Sequence, residues 1–121
     1  MSKSINPLVN ALQGAAKGAT YSAAPADASS VDVPASVSVV YMTSPGSGEA
    51  GVVRLPPPSE CPGHIMCFEL VQDGTGTIAL NYTVGEVTTT DPLSDLFTVL
   101  SESAVLMSTG SKWVVLYEDI A

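Results

Sequence analysis

The sequence predicts an all-β protein: a small antiparallel barrel or sandwich of about seven short strands with an extended N-terminal arm that contains a short helix. Three observations predict this fold. The chain has 121 residues, which is enough for one domain. Short runs of alternating apolar and polar residues recur along residues 36–121. Turns rich in glycine, proline and aspartate separate these runs at a regular spacing that is typical of sandwiches and barrels.

The clearest element is a hairpin at the C-terminal end of the chain. Two apolar runs, residues 104–107 and 113–117, flank a short polar loop. Gly110 lies in this loop and can adopt positive φ without steric cost, which favours a tight reversal of the chain. The second run is rich in β-branched and aromatic residues and suits a half-buried strand. We therefore expect a hairpin that closes the β-rich core.

The first 35 residues differ from the rest and are predicted to form an N-terminal arm, residues 1–35, before a β domain, residues 36–121. Asn6 and Pro7 are typical of a helix start, and Gly18 is placed to end it. The resulting helix would be marginal alone in water, so its apolar stripe needs a surface. That surface is either the chain's own domain or another subunit or larger assembly. Residues 19–35 are interpreted as an extended linker. The stripe consists of Ile5, Leu8, Val9, Leu12 and Ala16.

The β domain contains a series of predicted strands, and some segments between them are ambiguous. Prolines 56–58 interrupt the series and favour an edge or a crossover. Residues 84–91 are either a strand or a long loop, and residues 94–101 are either a helical turn or a strand. The other predicted strands cover residues 36–41, 51–55, 64–71 and 77–83, followed by the terminal hairpin.

Composition and charge exclude several classes of partner. The formal net charge is −8, and only four basic residues are present. Because they are scattered, we expect no binding to nucleic acid and none to an anionic membrane surface. No segment is apolar and long enough to span a bilayer, and no secretory signal is evident. We expect synthesis in the cytosol, where cysteines stay reduced.

Catalytic and metal-binding motifs are poorly represented. The single histidine, His64, follows a Pro-Gly turn, and no Gly-x-Ser-x-Gly motif accompanies it. We expect no enzyme and no cofactor. Cys61, His64 and Cys67 offer at most three soft ligands, whereas a structural zinc site needs four. We interpret the cysteines as small apolar residues; a disulfide across the turn and a metal shared between subunits are the alternatives.

Four short segments resemble, in order, a pattern in bacteriophage virion structural proteins. They are residues 52–56 (Val-Val-Arg-Leu-Pro), residues 62–65 (Pro-Gly-His-Ile), the glycine turn at residues 74–76, and residues 110–115 (Gly-Ser-Lys-Trp-Val-Val). The resemblance covers residues 52–117. Similar segments occur in head decoration (cement) proteins, head fibres and tail fibres.

This resemblance implies a capsid decoration protein that binds the major capsid protein as a homotrimer and lies on the capsid surface of the virion. In this interpretation Ile5, Leu8, Val9 and Leu12 dock on the shell. Trp113, Val115 and Tyr117 contribute to the core or to the trimer contact. The alternative within the same resemblance is a head or tail fibre module that binds host surface glycans, for which the aromatic face of Trp113 is a candidate.

Overall fold

The computed structural model describes residues 20–26, 29–46, 48, 50–72, 74–84, 87–90, 92 and 96–120. Nine strands and one 3-10 turn, Pro58–Glu60, lie within these ranges. The strands are β1 Thr20–Ala23, β2 Ser30–Asp32, β3 Val39–Thr43, β4 Ala50–Arg54, β5 Ile65–Gln72, β6 Thr77–Val84, β7 Val87–Thr90, β8 Ser103–Ser108 and β9 Trp113–Asp119.

The first six strands alternate between two sheets. Strands β1, β3 and β5 pair in parallel in one sheet, and β2, β4 and β6 pair in parallel in the other. Parallel neighbours need a crossover connection, which is usually a helix. Here a strand of the opposite sheet provides each crossover, so the backbone passes back and forth between the two sheets.

Antiparallel strands complete both sheets after β6. Strand β8 pairs with β5, and β9 pairs with β8, which gives a mixed five-stranded sheet of order β1-β3-β5-β8-β9. Strand β7 pairs antiparallel with β6 at the end of the smaller sheet, of order β2-β4-β6-β7. The chain therefore changes from parallel to antiparallel pairing at the same stage in both sheets.

One apolar core holds the two sheets together. Each sheet contributes alternate residues, because successive side chains of a strand point to opposite faces. The larger sheet contributes Phe68 and Leu106, and the smaller sheet contributes Val53 and Leu80. All four are at most 2% exposed. Burial of this shared face supplies the main driving force for folding.

The predicted antiparallel barrel or sandwich of about seven strands was wrong. The two sheets do not close into a barrel, and the first six strands pair in parallel. The physical reason is that alternation of apolar and polar residues has the same period in parallel and antiparallel strands, so it does not determine strand direction. The predicted helix at residues 7–17 lies outside the described residues.

Two strands occupy the stretch predicted to be a linker. Strand β1 pairs with β3, and β2 pairs with β4, so each belongs to one of the two sheets. Both strands are short, and β1 contains only one buried residue, Ala23. Their composition of alanine, serine and aspartate hides the strand pattern. The smaller sheet is additionally secured there by a hydrogen bond from Val33 N to Arg54 O, at 2.8 Å.

The predicted C-terminal hairpin is confirmed. Strands β8 and β9 pair antiparallel, and Gly110 in the connecting loop has a φ of 95°. The loop is stabilised by hydrogen bonds between Thr109 and Lys112, including Thr109 N to Lys112 O at 2.9 Å. A register shift between Val105 and Leu106 changes the alternation of β9.

Candidate functional site

Among the residues that the structure describes, most of the large exposed apolar side chains lie in or beside one turn that precedes β8. We call residues 96–101 the apolar turn. Within it Leu96, Val99 and Leu100 are 43%, 52% and 50% exposed. Val71 on β5 is 46% exposed, and its chain neighbour Leu70 is hydrogen-bonded to this turn. An exposed cluster of this kind is typical of an interaction site.

Backbone hydrogen bonds attach the apolar turn to both sheets. Phe97 forms an isolated antiparallel bridge with Ile78 of the smaller sheet, through N–O distances of 2.8 and 3.1 Å. Ser101 N donates to Leu70 O of the larger sheet at 2.9 Å, and Leu70 N donates to Glu102 O at 3.0 Å. Phe97 is fully buried in the shared core. The turn is therefore anchored at both ends while its apolar tip faces outward.

The Glu102 carboxylate holds the turn from inside. Its Oε1 accepts hydrogen bonds from Thr98 N at 2.6 Å and Val99 N at 2.9 Å. The residue is only 6% exposed, so these bonds form largely out of water. Ser101 has a φ of 72°, a left-handed conformation that non-glycine residues adopt infrequently. The carboxylate and the anchored ends stabilise this conformation.

The apolar turn is suited to binding and offers no evident chemistry. Its exposed side chains are aliphatic, and the carboxylate of Glu102, which follows the turn, is already bonded to the turn's backbone. A surface held in its binding shape loses little conformational entropy when a partner covers it. The sequence alone left residues 94–101 as a helical turn or a strand. The sequence does show a glutamate, Glu102, just after a short apolar cluster. This pattern is too common to identify a site.

The residues predicted from the sequence lie in different places. Ile5, Leu8, Val9 and Leu12 are outside the described residues. Trp113 is 3% exposed in the shared core, and its Nε1 donates to Pro56 O at 2.9 Å. Val115 packs against the same core and is partly buried. Tyr117 lies on the opposite face of the larger sheet, beside Cys67 and Val105.

His64 and the two cysteines form no common centre. His64 Nε2 donates to Val37 O at 2.6 Å, which uses the ring to hold the chain before β3. Cys61 and Cys67 are both free, and they pack in different apolar clusters. Among the residues that the structure describes, no group of three or more histidine, cysteine, aspartate or glutamate side chains is placed to hold a metal ion.

Burial raises the pKa of the Cys67 thiol to about 11 from its ordinary value of 9.0. At pH values between these two pKa values, the Cys67 thiol has lost its proton in the unfolded chain but keeps it in the folded chain. The stability that this provides is present below about pH 9 and is lost as the pH rises through about 11. We expect the free energy of unfolding to fall by about 2 kcal/mol more in the wild type than in Cys67→Ala between about pH 8 and pH 11.

Urea unfolding of both proteins at the two pH values measures this difference. All other ionisable groups are the same in both proteins, so the comparison isolates the Cys67 thiol. Equal losses in the two proteins would show that Cys67 ionises as readily in the folded state as in the unfolded state.

Within the described ranges, no helix is long and apolar enough to cross a membrane. Searches of protein-family models, curated proteins and solved structures found no match to this chain.

Proposed function

We propose that this chain is a structural virion protein: a capsid decoration (cement) protein that binds the major capsid protein of a phage head as a homotrimer. The observation that carries the proposal is the apolar turn, an exposed aliphatic surface that is held in one shape by Glu102 and by both sheets. The order of short segments in residues 52–117, similar to that in phage virion proteins, indicates the kind of partner.

The apolar turn supplies docking energy in a form that suits a repeated shell. Full burial of a valine or leucine side chain contributes about 1.5–3 kcal/mol, and the turn presents three such side chains that are each about half exposed. One copy would therefore bind weakly. A homotrimer that engages three equivalent sites would bind far more tightly, because the second and third contacts become intramolecular.

The charge of the chain is consistent with this role. A net charge of −8 keeps a small domain soluble and self-repelling at the high concentration that decoration of a shell demands. Leu116 on β9 is another exposed leucine, at 47%. It serves as a matched control for the apolar turn.

The test is a pull-down on undecorated phage heads. We expect Val99→Asp with Leu100→Asp to abolish binding, because two charges then face an apolar contact. We expect Leu116→Asp, which places a charge on an exposed strand position, to bind as the wild type does. Circular dichroism provides the folding control. Wild-type occupancy by the doubly substituted protein would refute docking through the apolar turn.

Light scattering of the purified chain tests the homotrimer separately. We expect about three times the monomer mass at micromolar concentration. A monomer throughout the accessible concentration range would contradict the trimer. If Val99→Asp with Leu100→Asp reduces the mass to that of a monomer, the apolar turn forms the trimer contact, and the shell contact lies elsewhere.

The alternative of a glycan-binding fibre module has no specific observation in its favour. Trp113 is the aromatic residue that suggested it, and its ring is buried with Nε1 bonded to Pro56 O. A buried ring offers no face to a sugar.

A further inference from the structure

A row of polar side chains crosses the outer face of the smaller sheet. Asp32 on β2, Arg54 on β4 and Asn81 on β6 are direct cross-strand partners. Their chain neighbours Val53 and Leu80 belong to the shared core, so the row points to the opposite face. We call Asp32, Arg54 and Asn81 the polar row. Its arginine is one of the two lysine or arginine residues within the described ranges.

Asn81 holds one side of the Arg54 guanidinium. Arg54 Nε donates to Asn81 Oδ1 at 3.4 Å, and Asn81 is only 8% exposed. Because an arginine side chain can only donate, this contact assigns the amide oxygen to the branch that faces Arg54 and Nδ2 to the other branch. No described residue accepts a hydrogen bond from Nδ2. A buried donor without an acceptor is unfavourable, so a ligand oxygen that accepts from Nδ2 would bind favourably there.

The guanidinium of Arg54 is only partly satisfied by its neighbours. Its Nη1 lies 3.6 Å from Asp32 Oδ1, and the Asp32 side chain is 78% exposed, whereas that of Arg54 is 36% exposed. An ion pair this open contributes little stability and separates readily. Within the described part of the chain, Nη2 contacts no acceptor. Arg54 therefore presents free N–H groups on a planar fork, which suits a carboxylate.

The surface beside the polar row is small and uncharged. Two residues before each member of the row, on the same face, lie Ser30, Val52 and Ala79, which are again cross-strand partners. None of these three side chains is long enough to shield Arg54, so another protein surface can approach the guanidinium closely. Arginine is among the residues that contribute most to binding at such contacts.

The charge of the chain indicates where the carboxylate comes from. Twelve acidic and four basic residues make two copies repel each other over most of their surfaces. A homo-oligomer therefore gains most where an acidic side chain of one copy meets a base of another, and Arg54 offers such a base on a sheet face. Suitable acids are present, because Glu60, Glu118 and Asp119 are exposed and none of them forms an ion pair with a described residue.

We propose that Arg54 and Asn81 together bind the carboxylate of an acidic side chain from a second copy of this chain. One carboxylate oxygen accepts from Arg54 Nη2, and the other accepts from Asn81 Nδ2. This contact joins the copies of the homotrimer, so the inference rests on that part of the proposed function and adds the residues that form the contact. The apolar turn then remains available for the shell.

Sedimentation equilibrium of purified variants tests this contact. We expect Arg54→Glu to raise the concentration at which the homotrimer half-dissociates by about tenfold or more, because the incoming carboxylate then meets a like charge. Lys112→Glu makes the same change of charge in the hairpin loop, and we expect it to shift that concentration by no more than about twofold. Circular dichroism provides the folding control. If Arg54→Glu unfolds, Arg54→Gln provides a milder change, with a smaller rise expected.

Asn81→Asp separates binding from a purely structural role of the pair. Its carboxylate still accepts from Arg54 Nε, so a pair that only holds the sheet together would be retained or strengthened. The substitution replaces the Nδ2 donor by a charged acceptor, which repels the incoming carboxylate. We therefore expect the half-dissociation concentration to rise by about tenfold here as well.

The outcomes distinguish this contact from the homotrimer itself. Folded Arg54→Glu or Asn81→Asp protein that assembles as the wild type does would overturn the contact and leave the homotrimer standing. A monomeric wild type would overturn both. If Arg54→Glu stays trimeric but no longer binds undecorated heads, the carboxylate belongs to the shell protein, and its assignment to a second copy is wrong.

Discussion

Replacement of Trp113 by alanine is expected to lower the free energy of unfolding by about 3–5 kcal/mol. The indole is 3% exposed in the core between the sheets, so its removal leaves a large cavity. The substitution also removes the donor to Pro56 O, a hydrogen bond of 2.9 Å that attaches the start of β9 to the proline segment. Ser108 Oγ donates to Pro58 O at 2.8 Å from the end of β8. Both strands of the hairpin are thus attached to residues 56–58 beside the connecting loop.

Urea or guanidinium unfolding measures this loss. Trp113→Phe retains most of the apolar volume and removes the hydrogen bond, so we expect a smaller loss of about 1–3 kcal/mol. Leu116→Ala lies on the same strand but is half exposed, and we expect a change within about 0.5 kcal/mol. A loss at Trp113→Ala no greater than that at Leu116→Ala would show that the hairpin does not depend on this residue.

Replacement of Glu102 by alanine is expected to cost about 3 kcal/mol of stability. The buried carboxylate accepts from two backbone N–H groups, Thr98 N and Val99 N, and hydrogen bonds to charged groups are the stronger kind. Without them the left-handed conformation at Ser101 loses support. We therefore also expect Glu102→Ala to weaken shell binding, even at temperatures where the protein remains folded.

Glu102→Gln removes the negative charge of the side chain and keeps an oxygen that can accept the same hydrogen bonds, so it separates the two contributions. Its amide oxygen can still accept from both N–H groups, so we expect a loss about half that of the alanine variant and nearly normal shell binding. Thermal unfolding and the pull-down on undecorated heads provide the two measurements. Shell binding by folded Glu102→Ala at the wild-type level would show that the shape of the apolar turn does not matter for docking.

The terminal hairpin could be predicted because its signals are local. Gly110 permits the reversal, and the residues on either side suit strands whatever the rest of the chain does. The face of Ile78, Leu80 and Tyr82 was predictable for the same reason, because alternation alone defines it, and all three are buried. These features require no knowledge of which strand lies next to which.

The pairing of the strands could not be predicted, since it depends on contacts between distant residues. Val39 on β3 pairs with Cys67 on β5, although β4, a strand of the other sheet, lies between them in sequence. Strands β1 and β2 are short edge strands that pair with β3 and β4. Their few apolar residues, Tyr21, Ala23 and Val31, pack against the core but lie in a stretch rich in alanine, serine and proline. A polar sequence can form such edge strands, so composition indicated a linker.

The candidate site escaped prediction for a related reason. The apolar turn owes its shape to Leu70 and Ile78, which lie on different sheets and are remote from it in sequence. Likewise, β8 is buried on both faces, with Ala104 and Leu106 in the shared core and Val105 on the opposite face. Such a strand is a continuous apolar run, and a sequence pattern cannot assign its residues to one face or the other. Both features become visible only when the sheets are assembled.

The central claim is that this chain decorates a phage head. Its most direct test is the copy number of the chain in purified intact virions, measured by quantitative mass spectrometry relative to the major capsid protein. We expect many copies per particle, in a fixed ratio to the major capsid protein that is compatible with trimers on a symmetric shell. Absence from intact virions, or presence in only a few copies per particle, would contradict the claim.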